Sequence, residues 1–264
     1  MKVGFIGCGN MGGAMMQGIL DSGICRPDEM TAWDAQAEAL ERRRRELGIR
    51  AASDNRETAA FAQVLFLAVK PQYYEGVIQE IRDTVREDQI LVSIAPGKTL
   101  SWLEETFARP LKIVRAMPNT PAMVKAGMTA LCPNSRVTKE ELLAVQNLFG
   151  GFSETEVTPE ALMDVVTAVS GSSPAYVFLF LEAMADAAVA GGMPRNQAYR
   201  FAAQAVLGSA KMVLDTGKHP GELKDMVCSP AGTTIQAVRV LEEKGFRSAV
   251  FEAMEACMKQ SRSM

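Results

Sequence analysis

The sequence is poor in the residues that build metal centres and structural disulfides. It has one histidine, His219, and its five cysteines are scattered along the 264 residues without a Cys-x-x-Cys pair. A structural zinc site needs four closely spaced thiolate or imidazole ligands, so no metal site is expected. Scattered thiols in odd number are typical of a reducing compartment, and we therefore expect a cytoplasmic protein.

The sequence also lacks an excess of positive charge and a long apolar run. Its 28 Lys and Arg residues are outnumbered by 31 Asp and Glu residues, which gives a net charge of -3. Such a chain has no cationic surplus for neutralising phosphates, so neither nucleic acid nor an anionic membrane is an expected partner. Met1-Lys2 leads straight into an apolar strand, without the pattern of a signal peptide, and no uninterrupted run reaches membrane-spanning length. The expected partner is a small molecule.

The first half of the chain alternates short apolar runs with stretches of helical periodicity. This alternation is typical of βαβ units and predicts an α/β fold with a doubly wound, mostly parallel sheet. The predicted strands are Val3–Ile6, Thr31–Trp33, Val64–Val69, Ile90–Ile94, Ile113–Val114, Met128–Cys132 and Glu154–Val157. The predicted helices are Gly13–Leu20, Ala37–Leu47 and Gln72–Ile81.

The second half is rich in Ala and Met and is punctuated only by short Gly and Pro turns. We therefore predict a first domain at residues 1–158 and an all-helical second domain at residues 159–264. Its predicted helices are Pro159–Val169, Ser173–Gly191, Arg195–Asp215, His219–Val227, Thr233–Lys244 and Phe246–Lys259. The segment Ala175–Val189 is apolar nearly all round and needs burial on every side, which predicts a subunit interface.

A glycine-rich segment follows the first strand and opens the first helix. It reads Gly7-Cys8-Gly9-Asn10-Met11-Gly12 and fits the pattern G-x-G-x-x-G. In a Rossmann domain the first glycine permits a tight turn, the second lets the backbone approach a pyrophosphate, and the third lets the helix pack on the strand. The segment therefore predicts a dinucleotide-binding site, with the phosphates at the helix N-terminus.

The choice between the two nicotinamide cofactors stays open. Asp34 ends the second strand, where a carboxylate can bind the ribose hydroxyls of NADH but repels the 2′-phosphate of NADPH. Arginines at 42–45 oppose this argument if one of them lies near an adenosine phosphate, although a solvated helix face also accounts for the run. The cofactor is accordingly NADPH or NADH.

Two turns after later strands are predicted to line the nicotinamide half of the site. They contain Ala68-Val69-Lys70-Pro71 and Ile94-Ala95-Pro96. Ligands of open α/β sheets bind outside the carboxyl ends of the strands, where both turns lie. In the alternative interpretation, Pro71 and Pro96 only terminate strands.

Three further segments identify a family resemblance that covers essentially the whole chain. They are Arg115-Ala116-Met117-Pro118-Asn119-Thr120-Pro121, Ser170-Gly171-Ser172-Ser173-Pro174-Ala175-Tyr176, and Asp225 to Thr234 with Ser229-Pro230-Ala231-Gly232-Thr233-Thr234 at its end. In this order behind the glycine-rich segment, they strongly resemble pyrroline-5-carboxylate reductase, which reduces the C=N bond of 1-pyrroline-5-carboxylate with NAD(P)H to give L-proline, the last step of proline biosynthesis.

The resemblance implies a Rossmann domain followed by a helical domain that interlocks in a homodimer, with dimers assembled further to a decamer and an active site shared between chains. It implies cofactor contacts at Gly7 to Gly12, Asn55, Ala68 to Pro71 and Ile94 to Pro96. It implies substrate contacts at Glu160, Thr233 and Thr234. Many members have a second glycine where this chain has Ala231, so we expect the turn here to avoid a positive φ at that residue.

The residues around Ser229 agree with a substrate site. The turn Ser229 to Gly232 leads into a helix that begins near Thr233, which leaves backbone N–H groups and hydroxyls at a positive dipole end suited to a carboxylate. An ordinary helix cap remains the alternative. Thr234 is the candidate catalytic residue, since its hydroxyl is suited to orienting the ring nitrogen of an imine. His219 lies in a Lys-His-Pro-Gly turn and is expected to be exposed and uninvolved.

Two other functions are weighed. A β-hydroxyacid dehydrogenase has a similar two-domain plan but uses a lysine in a central helix, and residues 173–193 contain no lysine. A non-catalytic dinucleotide sensor would join the Rossmann domain to a recognition module, and no basic helix-turn-helix pattern is visible. Turnover of NAD(P)H with a cyclic imine distinguishes the reductase from both.

Overall fold

The structure, a computed structural model, describes residues 1–263 and contains one eight-stranded sheet in the first part of the chain. The strand order is β3-β2-β1-β4-β5-β6-β7-β8, and every pair is parallel except β6 with β7. The strands are β1 Val3–Ile6, β2 Met30–Trp33, β3 Arg50–Ala51, β4 Val64–Leu67, β5 Ile90–Ser93, β6 Lys112–Met117, β7 Gly127–Pro133 and β8 Ser153–Val157. The doubly wound, mostly parallel sheet expected from the sequence is confirmed.

The centre of the sheet is buried on both faces, and its order reverses beside β1. Strands β1, β4 and β5 are buried along their whole length and carry almost only apolar residues, as central parallel strands do. After β3 the chain crosses back over β1 to form β4 on its other side. Such a switch opens a crevice at the carboxyl ends of the neighbouring strands, where ligands of these folds bind.

Seven helices accompany this sheet. They are α1 Asn10–Asp21, α2 Ala37–Leu47, α3 Asn55–Phe61, α4 Tyr74–Ile81, α5 Leu100–Phe107, α6 Lys139–Phe149 and α7 Met163–Val166. The sequence analysis did not predict β3, α3, α5 or α6. The starts of α5 and α6 do carry capping signals, because Thr99 accepts a hydrogen bond from the N–H of Trp102 and Thr138 accepts one from that of Glu141.

The chain divides into two compact units. One contains Met1–Ser172 together with the chain end from Cys257, and the other contains Ser173–Ala256. The helices of the second part of the chain are α8 Ser173–Ala190, α9 Arg195–Thr216, α10 Pro220–Val227, α11 Thr233–Glu243 and α12 Phe246–Arg262. The predicted division into domains at residues 1–158 and 159–264 stays a prediction.

One long helical stretch, Glu160–Ala190, is long and apolar enough to cross a membrane by length and composition alone. It is not an uninterrupted apolar run, because it includes the charged residues Glu182 and Asp186. Within α8 only Ala185 is buried, and Phe178 and Leu179 are exposed. An apolar surface of this kind needs another apolar surface to cover it.

Candidate functional site

Gly7 and Gly12 allow three backbone segments to pack against one another at the carboxyl end of β1. Gly7 has a φ of 108°, which residues with a Cβ rarely adopt, and a Cβ there would lie 2.5 Å from the carbonyl oxygen of Ala68. A Cβ on Gly12 would lie 2.4 Å from the carbonyl oxygen of Gly7. These two glycines therefore bring β1, α1 and the turn after β4 together.

Gly9 has a different environment. It is exposed, and a Cβ placed on it would have nothing within 4 Å. Gly9 is also the N-cap of α1, and no side chain accepts a hydrogen bond from the first turn of that helix. The N–H groups of a first helical turn have no partner inside the helix, and a phosphate is a favoured ligand for them. The loop with Asn10 and Met11 in this first turn therefore fits the pyrophosphate of a dinucleotide.

Asp34 is bound to the glycine-rich loop. Its Oδ2 accepts a hydrogen bond from the backbone N–H of Cys8 at 2.6 Å, and its Oδ1 accepts one from the N–H of Gln36 at 2.8 Å. Each carboxylate oxygen has a second lone pair, so these bonds leave acceptor capacity for the ribose hydroxyls of a nucleotide. Burial raises the pKa of the Cys8 thiol to about 12, with a further contribution from Asp34, so Cys8 is a neutral packing residue.

The arginine run at 42–45 is not uniformly solvated. Arg44 and Arg45 are exposed and pair with Glu41. Arg43 is different, because its side chain is only 17% exposed and its guanidinium lies against Gly13, where a Cβ would approach within 2.2 Å. Its Nε lies 3.5 Å from the carbonyl oxygen of Cys8. One arginine of the run therefore contacts the glycine-rich loop, and the other interpretation, a solvated helix face, holds for Arg44 and Arg45.

The two turns after β4 and β5 are joined by a tyrosine that the sequence analysis missed. Tyr74 is fully buried, and its hydroxyl donates to the carbonyl oxygen of Leu67 at 2.5 Å and accepts from the Oγ of Ser93 at 3.2 Å. Leu67 ends β4 and directly precedes Ala68, while Ser93 ends β5 and directly precedes Ile94. The residues Ala68 to Pro71 and Ile94 to Pro96 thus leave the sheet side by side, with Lys70 exposed to solvent.

Asn55 begins α3 and is buried. Its Nδ2 donates to Glu80 at 2.7 Å, whereas its Oδ1 has no hydrogen-bond partner among residues 1–263. A buried carbonyl oxygen without a donor is costly, and a ligand hydroxyl is one group that would satisfy it. The predicted cofactor contact of Asn55 stays a prediction.

Glu160 forms an ion pair with a buried arginine of the sheet. Its Oε1 accepts from the Nη1 of Arg115 at 2.9 Å and from the backbone N–H of Leu100 at 2.7 Å, at the start of α5. Arg115 lies in β6 with its side chain only 7% exposed, so it depends on this carboxylate for charge compensation. The signal for this pair was an arginine between the apolar residues Val114 and Ala116 of a buried strand. Glu160 therefore has a structural role, and its substrate contact stays a prediction.

The turn from Ser229 to Thr234 lies in the second unit and leads into α11, which begins at Thr233 as predicted. Its N-cap is Gly232, and no side chain caps the first turn. A Cβ on Gly232 would lie 2.3 Å from the Oγ of Ser229 and 3.1 Å from its carbonyl oxygen, so a larger residue there would require the Ser229 hydroxyl to move. The N–H groups and the hydroxyls of Thr233 and Thr234 together suit a small carboxylate.

The expectation about Ala231 is wrong. Its φ is 55°, in the left-handed region that the sequence analysis expected the turn to avoid. The N–H of Gly232 is bonded to the carbonyl oxygen of Ser229 at 3.0 Å, which closes the turn tightly and holds Ala231 in this conformation. An L-residue with a Cβ pays about 1 to 2 kcal/mol for it. The turn therefore keeps a glycine-like backbone although it contains alanine.

Two further predictions concern His219 and a metal site. His219 is exposed, as predicted, and its Nδ1 accepts from the N–H of Gly221 at the start of α10. Among residues 1–263, no group of three or more His, Cys, Asp and Glu side chains is placed to hold a metal ion.

Comparison with known proteins identifies both parts of the chain. A family model described as pyrroline-5-carboxylate reductase dimerisation matches residues 160–264, and one described as NADP oxidoreductase, coenzyme F420-dependent, matches residues 2–97. The chain is 55% identical over 263 residues to pyrroline-5-carboxylate reductase of Escherichia coli, which covers 100% of this chain and 98% of that protein. It is 43% identical to the protein of the same name from Methanosarcina acetivorans, over 100% of this chain and 97% of that one.

Solved structures give the same result. The chain matches a pyrroline-5-carboxylate reductase from Coxiella burnetii with a TM-score of 0.93 at 33% identity, over 99% of this chain and 97% of that one. It matches the Plasmodium falciparum pyrroline carboxylate reductase with NADP bound at a TM-score of 0.91 and 31% identity, over 100% and 97% of the two chains. A 3-hydroxyisobutyrate dehydrogenase from Mycobacterium tuberculosis, at 13% identity and a TM-score of 0.52 over 72% and 66%, shares the fold alone.

Proposed function

The chain belongs to the pyrroline-5-carboxylate reductase family, and from this premise we propose how its residues carry out the reduction of 1-pyrroline-5-carboxylate to L-proline with NAD(P)H. The observation that carries the proposal is the first turn of α1, whose N–H groups lack a capping side chain beside the open space at Gly9. Bound there, NAD(P)H supplies a hydride for the C=N carbon. The residues of the protein bind the cofactor and the imine and orient them for this transfer.

We propose that the cofactor is held by the carboxyl ends of the central strands. The loop Gly7 to Gly12 binds the pyrophosphate through backbone N–H groups. Asp34 and Asn55 serve the adenosine half, and the turns Ala68 to Pro71 and Ile94 to Pro96 serve the nicotinamide half, because β4 and β5 lie on the opposite side of β1 from β2. Cys8 contributes its backbone N–H to Asp34 and no chemistry of its own.

For the substrate, we propose that the backbone N–H groups at the start of α11 bind its carboxylate, with Ser229 and Thr233 supporting them. The hydroxyl of Thr234 then meets the ring nitrogen and orients the C=N bond. An iminium already carries the proton that polarises this bond, so Thr234 acts by positioning and no side chain needs to supply a proton. Glu160 is proposed as a further substrate contact, through the edge of its carboxylate that Arg115 leaves accessible to ligand.

We propose that the protein works as a homodimer and that dimers assemble to a decamer. The family model over residues 160–264 is a dimerisation domain, which supports oligomerisation, and the exposed apolar residues of α8 supply surface for it. A dimer predicts a solution mass of twice 28.6 kDa by light scattering, and a decamer predicts ten times that mass. A mass of 28.6 kDa at micromolar concentration would contradict both.

We also propose a division at residues 158 and 159 into the dinucleotide-binding and helical domains, a cytoplasmic location, and no nucleic-acid or membrane partner. The start of the dimerisation model at residue 160 supports the division. The five cysteines are all free thiols, three of them buried, which agrees with a reducing compartment. In the proposed dimer a second copy of the chain covers the exposed apolar residues of α8, so no membrane lipid is required to cover them.

Initial rates with 1-pyrroline-5-carboxylate test the proposed function. We expect NAD(P)H oxidation that saturates with the imine, and the comparison of NADH with NADPH at equal concentration gives the cofactor preference. Absence of turnover with either cofactor would contradict the proposal. Turnover with 3-hydroxyisobutyrate instead would favour the hydroxyacid dehydrogenase reaction.

A further inference from the structure

A single buried hydroxyl connects the two turns that serve the nicotinamide half of the proposed cofactor site. Tyr74 is the first residue of α4, and its ring is buried in the apolar cluster that includes Leu65, Leu67 and Ile78. A phenol in such a place normally finds partners for its hydroxyl. Here the hydroxyl donates to the carbonyl oxygen of Leu67 at 2.5 Å and accepts from the Oγ of Ser93 at 3.2 Å.

The position of these partners is unusual for a tyrosine that only fills a core. Leu67 and Ser93 are paired with each other in the register of β4 and β5, and each is the last residue of its strand. The hydroxyl therefore bridges the carboxyl ends of both strands at the point where the predicted cofactor turns begin.

The strand order assigns this bridge to one half of the dinucleotide. β2, which is followed directly by Asp34, lies on one side of β1, and β4 and β5 lie on the other. In a Rossmann domain the adenosine extends over the first side and the nicotinamide over the second. A change confined to the ends of β4 and β5 should therefore affect the nicotinamide more than the adenosine.

The Tyr74 hydroxyl does not donate or accept a proton in the proposed reaction. Burial outweighs the hydrogen bonds and raises the pKa of Tyr74 to about 12, so the group is a neutral phenol at any pH where the enzyme works. It is also shielded from solvent and lies behind the turns. The Tyr74 hydroxyl can fix the distance and direction at which the two turns leave the sheet.

We propose that Tyr74 is a positioning residue for the nicotinamide half of the cofactor, acting through the turns at Ala68 and Ile94. The inference rests on the proposed NAD(P)H-dependent function. Without the hydroxyl, Leu67 keeps only the longer bond of 3.3 Å from the N–H of Ile94, and Ser93 loses its buried acceptor. The two turns then sample a wider range of positions, which weakens contacts to the nicotinamide and the geometry of hydride transfer.

The test uses Tyr74→Phe in the full chain, with two ligands that differ in the nicotinamide. Dissociation constants are measured for the preferred cofactor of the wild type and for the matching ADP-ribose or 2′-phospho-ADP-ribose, which lacks the nicotinamide. We expect the dissociation constant of the complete cofactor to rise about fivefold to tenfold, as for one lost hydrogen bond, and that of the truncated ligand to change less than twofold. kcat should fall, and the pH profile of kcat should not shift.

Two companion variants sharpen the result. Tyr73→Phe removes the hydroxyl of the neighbouring tyrosine, which is 57% exposed, and should leave both affinities unchanged. Ser93→Ala removes one partner of Tyr74 and keeps the ring, so it should give a smaller loss in the same direction. The double variant with Tyr74→Phe should lose less than the sum of the two single changes, because both belong to one bridge.

Either of two outcomes would overturn the inference: equal loss of affinity for both ligands, which indicates a general structural role, or unchanged affinity and kcat in a folded variant. If Tyr74→Phe fails to fold, Ser93→Ala decides between the same outcomes. The wild type separates this inference from the proposed function. Wild-type protein that binds NAD(P)H but does not reduce the imine refutes the function, while the difference between the two ligands still tests Tyr74.

Discussion

The carboxylate of Asp34 accepts a 2.6 Å hydrogen bond from the backbone N–H of Cys8, so the acidic residue directly after β2 is bound to the glycine-rich loop itself. Its second oxygen is bound to the N–H of Gln36. Asp34 therefore combines two effects that the sequence does not separate. Its charge is predicted to oppose a 2′-phosphate, and its hydrogen bonds hold the loop.

The substitution Asp34→Asn separates these effects. It removes the charge but keeps one oxygen that can accept from Cys8, whereas Asp34→Ser removes both. We expect the NADPH/NADH ratio of kcat/KM to rise at least about fivefold in both variants, since like charges at 4 Å cost about 1 kcal/mol even in water. Only Asp34→Ser should also weaken the binding of both cofactors. A ratio that stays constant in a folded Asp34→Asn variant would show that the carboxylate does not face the ribose.

The open space at Gly9 predicts a variant that folds normally but binds poorly. In Gly9→Val the side chain meets no protein atom near its Cβ, so the thermal midpoint should stay within about 2 °C of the wild type. The same side chain occupies the approach of the pyrophosphate. We expect cofactor affinity to fall at least about thirtyfold, the effect of losing one charge-assisted hydrogen bond of about 2 kcal/mol.

Gly76 provides the matched control for this prediction. It is exposed in α4 and a Cβ there also has nothing within 4 Å, yet it lies outside the proposed site. Gly76→Ala should leave cofactor affinity unchanged. If Gly9→Val binds NAD(P)H as tightly as this control, the phosphates lie elsewhere.

The left-handed backbone at Ala231 predicts a stabilising substitution. Ala231→Gly relieves a strain of about 1 to 2 kcal/mol, and the greater freedom of glycine in the unfolded chain offsets about half of that. We expect the free energy of unfolding, measured in urea at one protein concentration, to rise by about 0.5 to 1 kcal/mol. Ala237→Gly makes the same change at an exposed helical position of α11 and should lower it by a similar amount. Loss of stability in Ala231→Gly would mean that Ala231 is not strained.

The hydroxyl of Thr234 is predicted to serve the substrate alone. Thr234→Ala should lower kcat/KM for the imine by about 5-fold to 150-fold, equal to about 1 to 3 kcal/mol, because one oriented hydrogen bond is removed. Thr234→Val keeps the branched shape, so an equal loss implicates the hydroxyl and a recovery implicates packing. Cofactor affinity, titrated by fluorescence without substrate, should stay within about twofold in both. Parallel loss of affinity and turnover would identify Thr234 as a structural cap.

The sequence is sufficient to predict an element where one local rule determines its structure. The apolar run Val3–Ile6 and the glycines behind it predict β1 and a helix after it, which begins at Asn10 and not at the predicted Gly13. The start of α11 at Thr233 follows from the turn residues before it. The two-residue strand β3 was not predicted, since its exposed residues Arg50 and Ala51 carry no alternation.

The features that were missed depend on contacts between distant segments. Tyr74 falls on the buried face of α4 by its spacing from Val77, Ile78 and Ile81, but nothing in that spacing shows that its hydroxyl reaches the ends of two strands. Ala231 was expected to avoid a positive φ because of its Cβ. The hydrogen-bonded turn around Ala231 outweighs the preference of its Cβ for a negative φ. The neighbouring residues in the sequence do not show which of these two effects is larger.

The central claim, hydride transfer to the imine carbon, is tested most directly by isotope transfer. The enzyme is incubated with 1-pyrroline-5-carboxylate and NAD(P)H deuterated on the transferable position of the nicotinamide, and the L-proline formed is analysed by mass spectrometry and NMR. We expect one deuterium per molecule of L-proline, at ring carbon C5, with one cofactor oxidised for each proline formed. Unlabelled proline, or cofactor oxidation without proline, would contradict it.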